Sequence, residues 1–161
     1  MANFTGADVI TTSDILKYQP DAFDFGISTT ATETINFLAQ TTNDILRELR
    51  IQWFPTYKTN VYTDITVLNT LEMDNTKINL DQFERAGVYL FLGRFYLPAL
   101  SKFRPETEKD RFERMAEYYM SQYNIEWRMI LEDGVEYDVD SSGTIVANER
   151  EPLHGFRRLT R

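Results

Sequence analysis

Apolar residues recur at helical spacing in three long stretches of the chain, and those stretches define the expected fold. The first begins near Thr30, where Thr30 and Glu33 have the spacing of a capping box. Ile35, Leu38, Ala39, Thr42, Ile45, Leu46, Leu49 and Trp53 follow at intervals of three and four, up to a stop at Pro55. A second stretch starts near Asn79, paired with Gln82, and runs through FERAGVYLFLGRFYL. It is apolar on nearly every face, as expected of a helix surrounded by others, with Pro98 set to kink or end it. The third opens at Pro105, with Glu106 and Glu108 favourable to the helix dipole. Its inner stripe is Phe112, Met115, Ala116, Tyr119, Tyr123, Trp127 and Ile130, ending around Asp133 and Gly134. A short helix is expected over SDILKYQ with Ser13 as cap, and residues 56–78 give only an irregular signal with a short strand around Val61.

After Gly134 the period changes. Val135, Tyr137 and Val139 alternate with acids, and Thr144, Ile145 and Val146 follow the turn-forming Ser141, Ser142 and Gly143, the pattern of a β-hairpin. The expected fold is mainly α: a helical bundle of three long helices plus a short N-terminal helix, with a C-terminal β-hairpin and an extended arm. Residues 1–134 form the bundle, 135–149 an acidic hairpin and 150–161 the arm.

Composition narrows the function. The chain has 161 residues, enough for one well-buried core, and no cysteine, which excludes a disulfide framework, thiol catalysis and thiolate metal sites. A formal net charge of -8 opposes general nucleic-acid binding, which rests on Lys and Arg displacing counterions. The opening MANFTGADVITTSD lacks the basic start and apolar run of a secretory signal, and AGVYLFLGRFYLPAL is too short and too interrupted to span a bilayer, so neither secretion by that route nor a membrane role is expected.

Catalytic patterns are missing. His154 is the single histidine; GxSxG, HExxH, GxxxxGK[ST] and GxGxxG are absent, and a two-metal carboxylate bundle needs more than one histidine. The acids Glu106, Asp110, Glu113 and Glu117 are interleaved with Lys109, Arg111 and Arg114, as on a solvated helix face. No enzyme is expected, and no cofactor other than calcium enters consideration.

Calcium enters through DVDSSGTIVANE, Asp138 to Glu149. An EF-hand loop takes oxygens from positions one, three, five, seven, nine and twelve, with glycine at six. Here these positions fall on Asp138, Asp140, Ser142, Thr144, Val146 and Glu149, with Gly143 at six. Val146 offers no side-chain oxygen, Gly134 stops the entering helix early, and Pro152 with Gly155 opposes a leaving one. The same residues also read as the turn of an acidic hairpin. In the tail EPLHGFRRLTR, Leu153, Phe156 and Leu159 sit among arginines, a composition suited to docking on another subunit as well as to a plain chain end.

The order of parts, with the EYDVDSSGTI turn and the closing GFRRLTR, resembles the head-to-tail connector (adaptor or head-completion) proteins of tailed bacteriophages. That resemblance implies a structural virion protein: a homo-oligomeric ring, commonly of twelve copies, below the portal in the neck. DNA passes through it without specific binding, and a downstream neck or tail protein assembles on it. It also implies synthesis in the host cytoplasm and portal contacts through Leu153, Phe156, Arg157, Arg158, Leu159 and Arg161. The alternative is a calcium-responsive helical binding module using Asp138 to Glu149.

Overall fold

The computed structural model describes residues 8–101, 110–146 and 149–151. They are mainly helical: α1 (Thr12–Tyr18), α2 (Thr32–Glu48), α3 (Phe54–Val61), α4 (Ile65–Thr70), α5 (Glu84–Leu90), α6 (Leu97–Leu100) and α7 (Arg111–Asp133), followed by β1 (Val135–Glu136) and β2 (Arg150–Glu151). The chain separates into two compact units, one formed by Asp8–Ile45 with Phe83–Trp127, the other by Leu46–Gln82 with the described residues from Arg128 onward.

Several ends differ from those the sequence suggests, for local reasons. Helix α1 is capped by Thr11, not Ser13, because Thr11 and Asp14 complete a reciprocal capping box. Helix α2 starts at Thr32; the Thr30 hydroxyl lies 3.4 Å from Ser28 Oγ. Pro55 does not end the helical path. Leu49–Trp53 widens into a π-helix, Pro55 falls in the first turn of α3, and the chain stays helical to Val61, so the strand expected there is absent. Phe91–Tyr96 is likewise a π-helix before Pro98, in the first turn of α6. A proline lacks the N–H and crowds the carbonyl four residues back, and a wider turn tolerates both defects. Asn79 and Gln82 form no capping box: the Asn79 side chain accepts from the Asp81 N–H, and the Gln82 amide donates to the Asn79 carbonyl. Asp110 accepts from the Glu113 N–H at 2.8 Å as α7 begins; the start expected at Pro105, with Glu106 and Glu108, lies outside the described residues.

In the unit containing α1 and α5, the buried face of α2 is Thr34, Leu38, Thr41 and Ile45, rotated from the expected stripe so that Ile35 is exposed. Two threonines bury because their hydroxyls donate to backbone carbonyls, Thr34 to Ser28 and Thr41 to Phe37, which removes the cost of an unpaired polar group. The expected central helix is indeed enclosed: Val88, Leu90, Phe91, Leu92 and Tyr96 are fully buried. Gly93 permits close packing on α7, since a Cβ there would stand 2.9 Å from the Met120 backbone nitrogen and 3.0 Å from the Ala116 carbonyl oxygen.

The other unit is centred on aromatics. Trp53 stacks on Tyr57 with centroids 4.7 Å apart, and Tyr137 packs on both at 5.7 and 5.2 Å. Tyr137 contributes more than area, because its hydroxyl accepts from the Asp74 N–H at 3.2 Å. It ties the segment after α7 to residues 74–79 and so fixes where the acidic loop begins.

Candidate functional site: an acidic loop closed by a short ladder

The loop is built outward from the end of α7. The Gly134 N–H donates to the Ile130 carbonyl, and a φ of 106° there turns the chain out of the helix, a step open to glycine at little cost. Strand β1 then pairs antiparallel with β2, Val135 opposite Glu151 and Glu136 opposite Arg150. On its other side lie residues 77–79: Asn79 N–H donates to the Glu136 carbonyl, Asp138 N–H to the Lys77 carbonyl, and Ile78 bridges Tyr137. The strand expected over Thr144, Ile145 and Val146 is not formed. Arg150 and Glu151, expected at the start of the arm, form β2 instead.

Glu136 anchors the ladder, accepting from the Asn79 side-chain amide at 2.6 Å and forming an ion pair with Arg150. Lys77 adds a charge-assisted bond to the Val139 carbonyl at 2.8 Å. Nothing in the sequence marks Lys77 or Asn79 as partners of a loop some 60 residues later; their roles depend on tertiary pairing.

Between the strands the chain coils around its own carboxylates. Asp138 accepts from the N–H groups of Ser142 at 3.0 Å and Gly143 at 2.8 Å. Asp140 accepts from the Ser142 N–H at 2.9 Å. Glu149 reaches back from the far end, accepting from Val139 N–H at 2.8 Å with one oxygen and from Val146 N–H at 3.0 Å with the other. Positive φ at Ser141 (59°) and Gly143 (77°) lets the amides point inward.

One carboxylate oxygen from each of Asp138, Asp140 and Glu149 therefore lies within 4.8 Å of the others. Asp138 and Glu149 are buried, at 4% and 6% exposure, while Asp140 is exposed. Hydrogen bonds from Ser142, through its side chain and its N–H, hold the Asp140 carboxyl below the ordinary aspartate value, with Asp138 adding to the effect.

These are positions one, three and twelve of the calcium pattern. The other two proposed ligands bond to each other: Ser142 Oγ lies 3.1 Å from both the Thr144 carbonyl and hydroxyl oxygens. The three carboxylates offer the hard oxygen donors that a divalent cation takes, and a short ladder flanks them where an EF-hand has helices. Leu153, Phe156, Arg157, Arg158, Leu159 and Arg161, the portal-contact candidates, and His154 lie outside the described residues.

Comparison with known proteins gives no match to any family, to any curated protein or to any solved structure. Among the described residues, no helix is long and apolar enough to cross a membrane.

Proposed function

We propose that this chain is a non-enzymatic connector of a tailed-phage neck, a ring-forming virion protein that joins the portal to the tail and lets DNA pass. The observation that carries the reading is the set of large apolar side chains left in solvent: Ile35 on α2 and Tyr118, Ile125 and Met129 on α7, helices that bury their opposite faces, and Ile65 on α4. Tyr118, Ile125 and Met129 are spaced seven and four apart, so they share one face of α7, opposite the stripe that packs inward. Exposed apolar side chains sharing a helix face in this way suit a protein–protein contact. Copies of one chain burying such faces in a heterologous contact form a ring when the rotation between neighbours closes.

The net charge of -8 supports the same reading, because a conduit rich in carboxylates repels phosphate and lets DNA slide. Leu153, Phe156, Arg157, Arg158, Leu159 and Arg161 are the proposed portal contacts. Deleting Leu153 to Arg161 is expected to abolish co-sedimentation with portal rings of the tailed phage to which this reading assigns the chain, while leaving far-UV circular dichroism unchanged. Undiminished portal binding by the truncated chain would remove the arm from the account.

The convergence of Asp138, Asp140 and Glu149 favours a second reading, a calcium-responsive helical module. Titration calorimetry separates the two. Micromolar calcium binding that disappears in Glu149→Ala favours the second reading, whereas no heat with an unchanged melting temperature leaves the loop to the connector alone.

A further inference from the structure

A cavity of about 420 Å³ opens in the unit that contains α3, lined by Arg50, Phe54, Pro55, Lys58, Leu71, Glu72 and Met73. Its floor is apolar, since Phe54 and Met73 are buried, and two cations stand at its edge. Lys58 Nζ donates to the Leu68 carbonyl at 2.9 Å and lies 5.9 Å from the Phe54 ring centroid. Arg50 Nη2 makes a long bond of 3.5 Å to Asn75 Oδ1.

Neither cation has a carboxylate within ion-pair distance among the described residues. Arg85, Arg94 and Arg150 each have one, and Lys17 has two.

We propose that this cavity receives an acidic peptide segment of a partner protein, one apolar side chain seated on Phe54 and Met73 and a neighbouring carboxylate held by Arg50 and Lys58. Charge complementarity selects the occupant. A partner carboxylate gives two half-satisfied cations the charge-assisted bonds they lack. A polyphosphate strand, charged at every phosphate, meets more repulsion from Glu72 in the same lining and from an acidic chain than a peptide offering one or two carboxylates. An uncharged apolar segment leaves both cations facing it unpaired. The proposal goes beyond the connector reading and does not require a ring, because the docking event is one chain on one peptide.

The test is fluorescence anisotropy at low salt, with the full chain and a fluorescein-labelled peptide acetyl-Gly-Asp-Leu-Asp-Phe-Gly. Two controls carry asparagine for both aspartates, or glycine for leucine and phenylalanine. The expected result is saturable binding of the first peptide only, weakened about tenfold or more in R50E/K58E and relieved by salt. R50Q/K58Q, which adds no repulsion, is expected to fall between, with circular dichroism showing that both variants keep their helices. Absence of binding, equal binding of the asparagine peptide, or unchanged affinity in folded R50E/K58E overturns the proposal. Self-association that R50E/K58E abolishes, with no peptide bound, overturns it in favour of a second copy as occupant.

Discussion

Asp138 and Glu149 are carboxylates taken out of water, and a buried charge is tolerated only when its oxygens are bonded. Here backbone amides do that work: Ser142 and Gly143 donate to Asp138, Val139 and Val146 to Glu149. Three less buried acids, Asp140 in the same loop and Asp14 and Asp74 outside it, obey the same logic, with a consequence for acid stability. Asp14 is pushed up by partial burial but drawn below its ordinary value by bonds from Lys17 and Thr11; Asp74 is lowered by the Thr76 hydroxyl and N–H; Asp140 is lowered by Ser142. A carboxyl whose folded value lies below its unfolded one adds stability that is complete above the unfolded value, 3.8, and disappears as pH falls through the folded value. Melting temperature is therefore expected to be insensitive to these three groups above about pH 5 and to fall with acid below about pH 4. A melting temperature that rises on acidification below that point would contradict the assignment.

At the scale of elements, the two π-helical segments explain why the chain passes two prolines without leaving its helical path. The sequence reads Pro55 and Pro98 as stops, since proline deletes a helical bond; it does not reveal that Leu49–Trp53 and Phe91–Tyr96 widen to accommodate the loss. The inner face of α7 was legible, with Ala116, Tyr119, Tyr123, Trp127 and Ile130 buried as the spacing requires. The inner face of α2 was legible in part: Leu38 and Ile45 are buried as the spacing requires, whereas Thr34 and Thr41 bury through bonds to carbonyls that periodicity cannot register. For the loop, Asp138, Asp140 and Glu149 were legible from their spacing alone. The ladder that holds them was not, because it depends on Ile78 and Asn79, far away in sequence.

Close packing gives a prediction at the same scale. Gly93→Ala drives a methyl into backbone atoms of α7, which cannot rotate away, and is expected to cost about 1–3 kcal/mol. Gly87→Ala meets only the side chains of Val9, Ile10 and Ile45 and is expected to cost less. Urea unfolding of both variants ranks them, and an equal or reversed order would show that α7 yields.

For the molecule as a whole, the apolar residues in solvent and the acidic balance bear on the connector reading together. In that reading the exposed side chains of α2, α4 and α7 are the proposed contact area for neighbouring copies. The acidity keeps unassembled copies apart, so assembly is expected to need a template that overcomes repulsion, and to be favoured by added salt. Replacing Tyr118 and Met129 by aspartate is expected to block assembly without unfolding the chain, because both side chains are already in water. Mass photometry of the chain mixed with portal rings of the tailed phage to which the reading assigns it tests the central claim most directly. The account predicts a discrete species of one portal ring plus a closed ring of this chain, absent for the Tyr118→Asp, Met129→Asp variant. Monomers alone, with portal and without it and at every salt concentration, would contradict it.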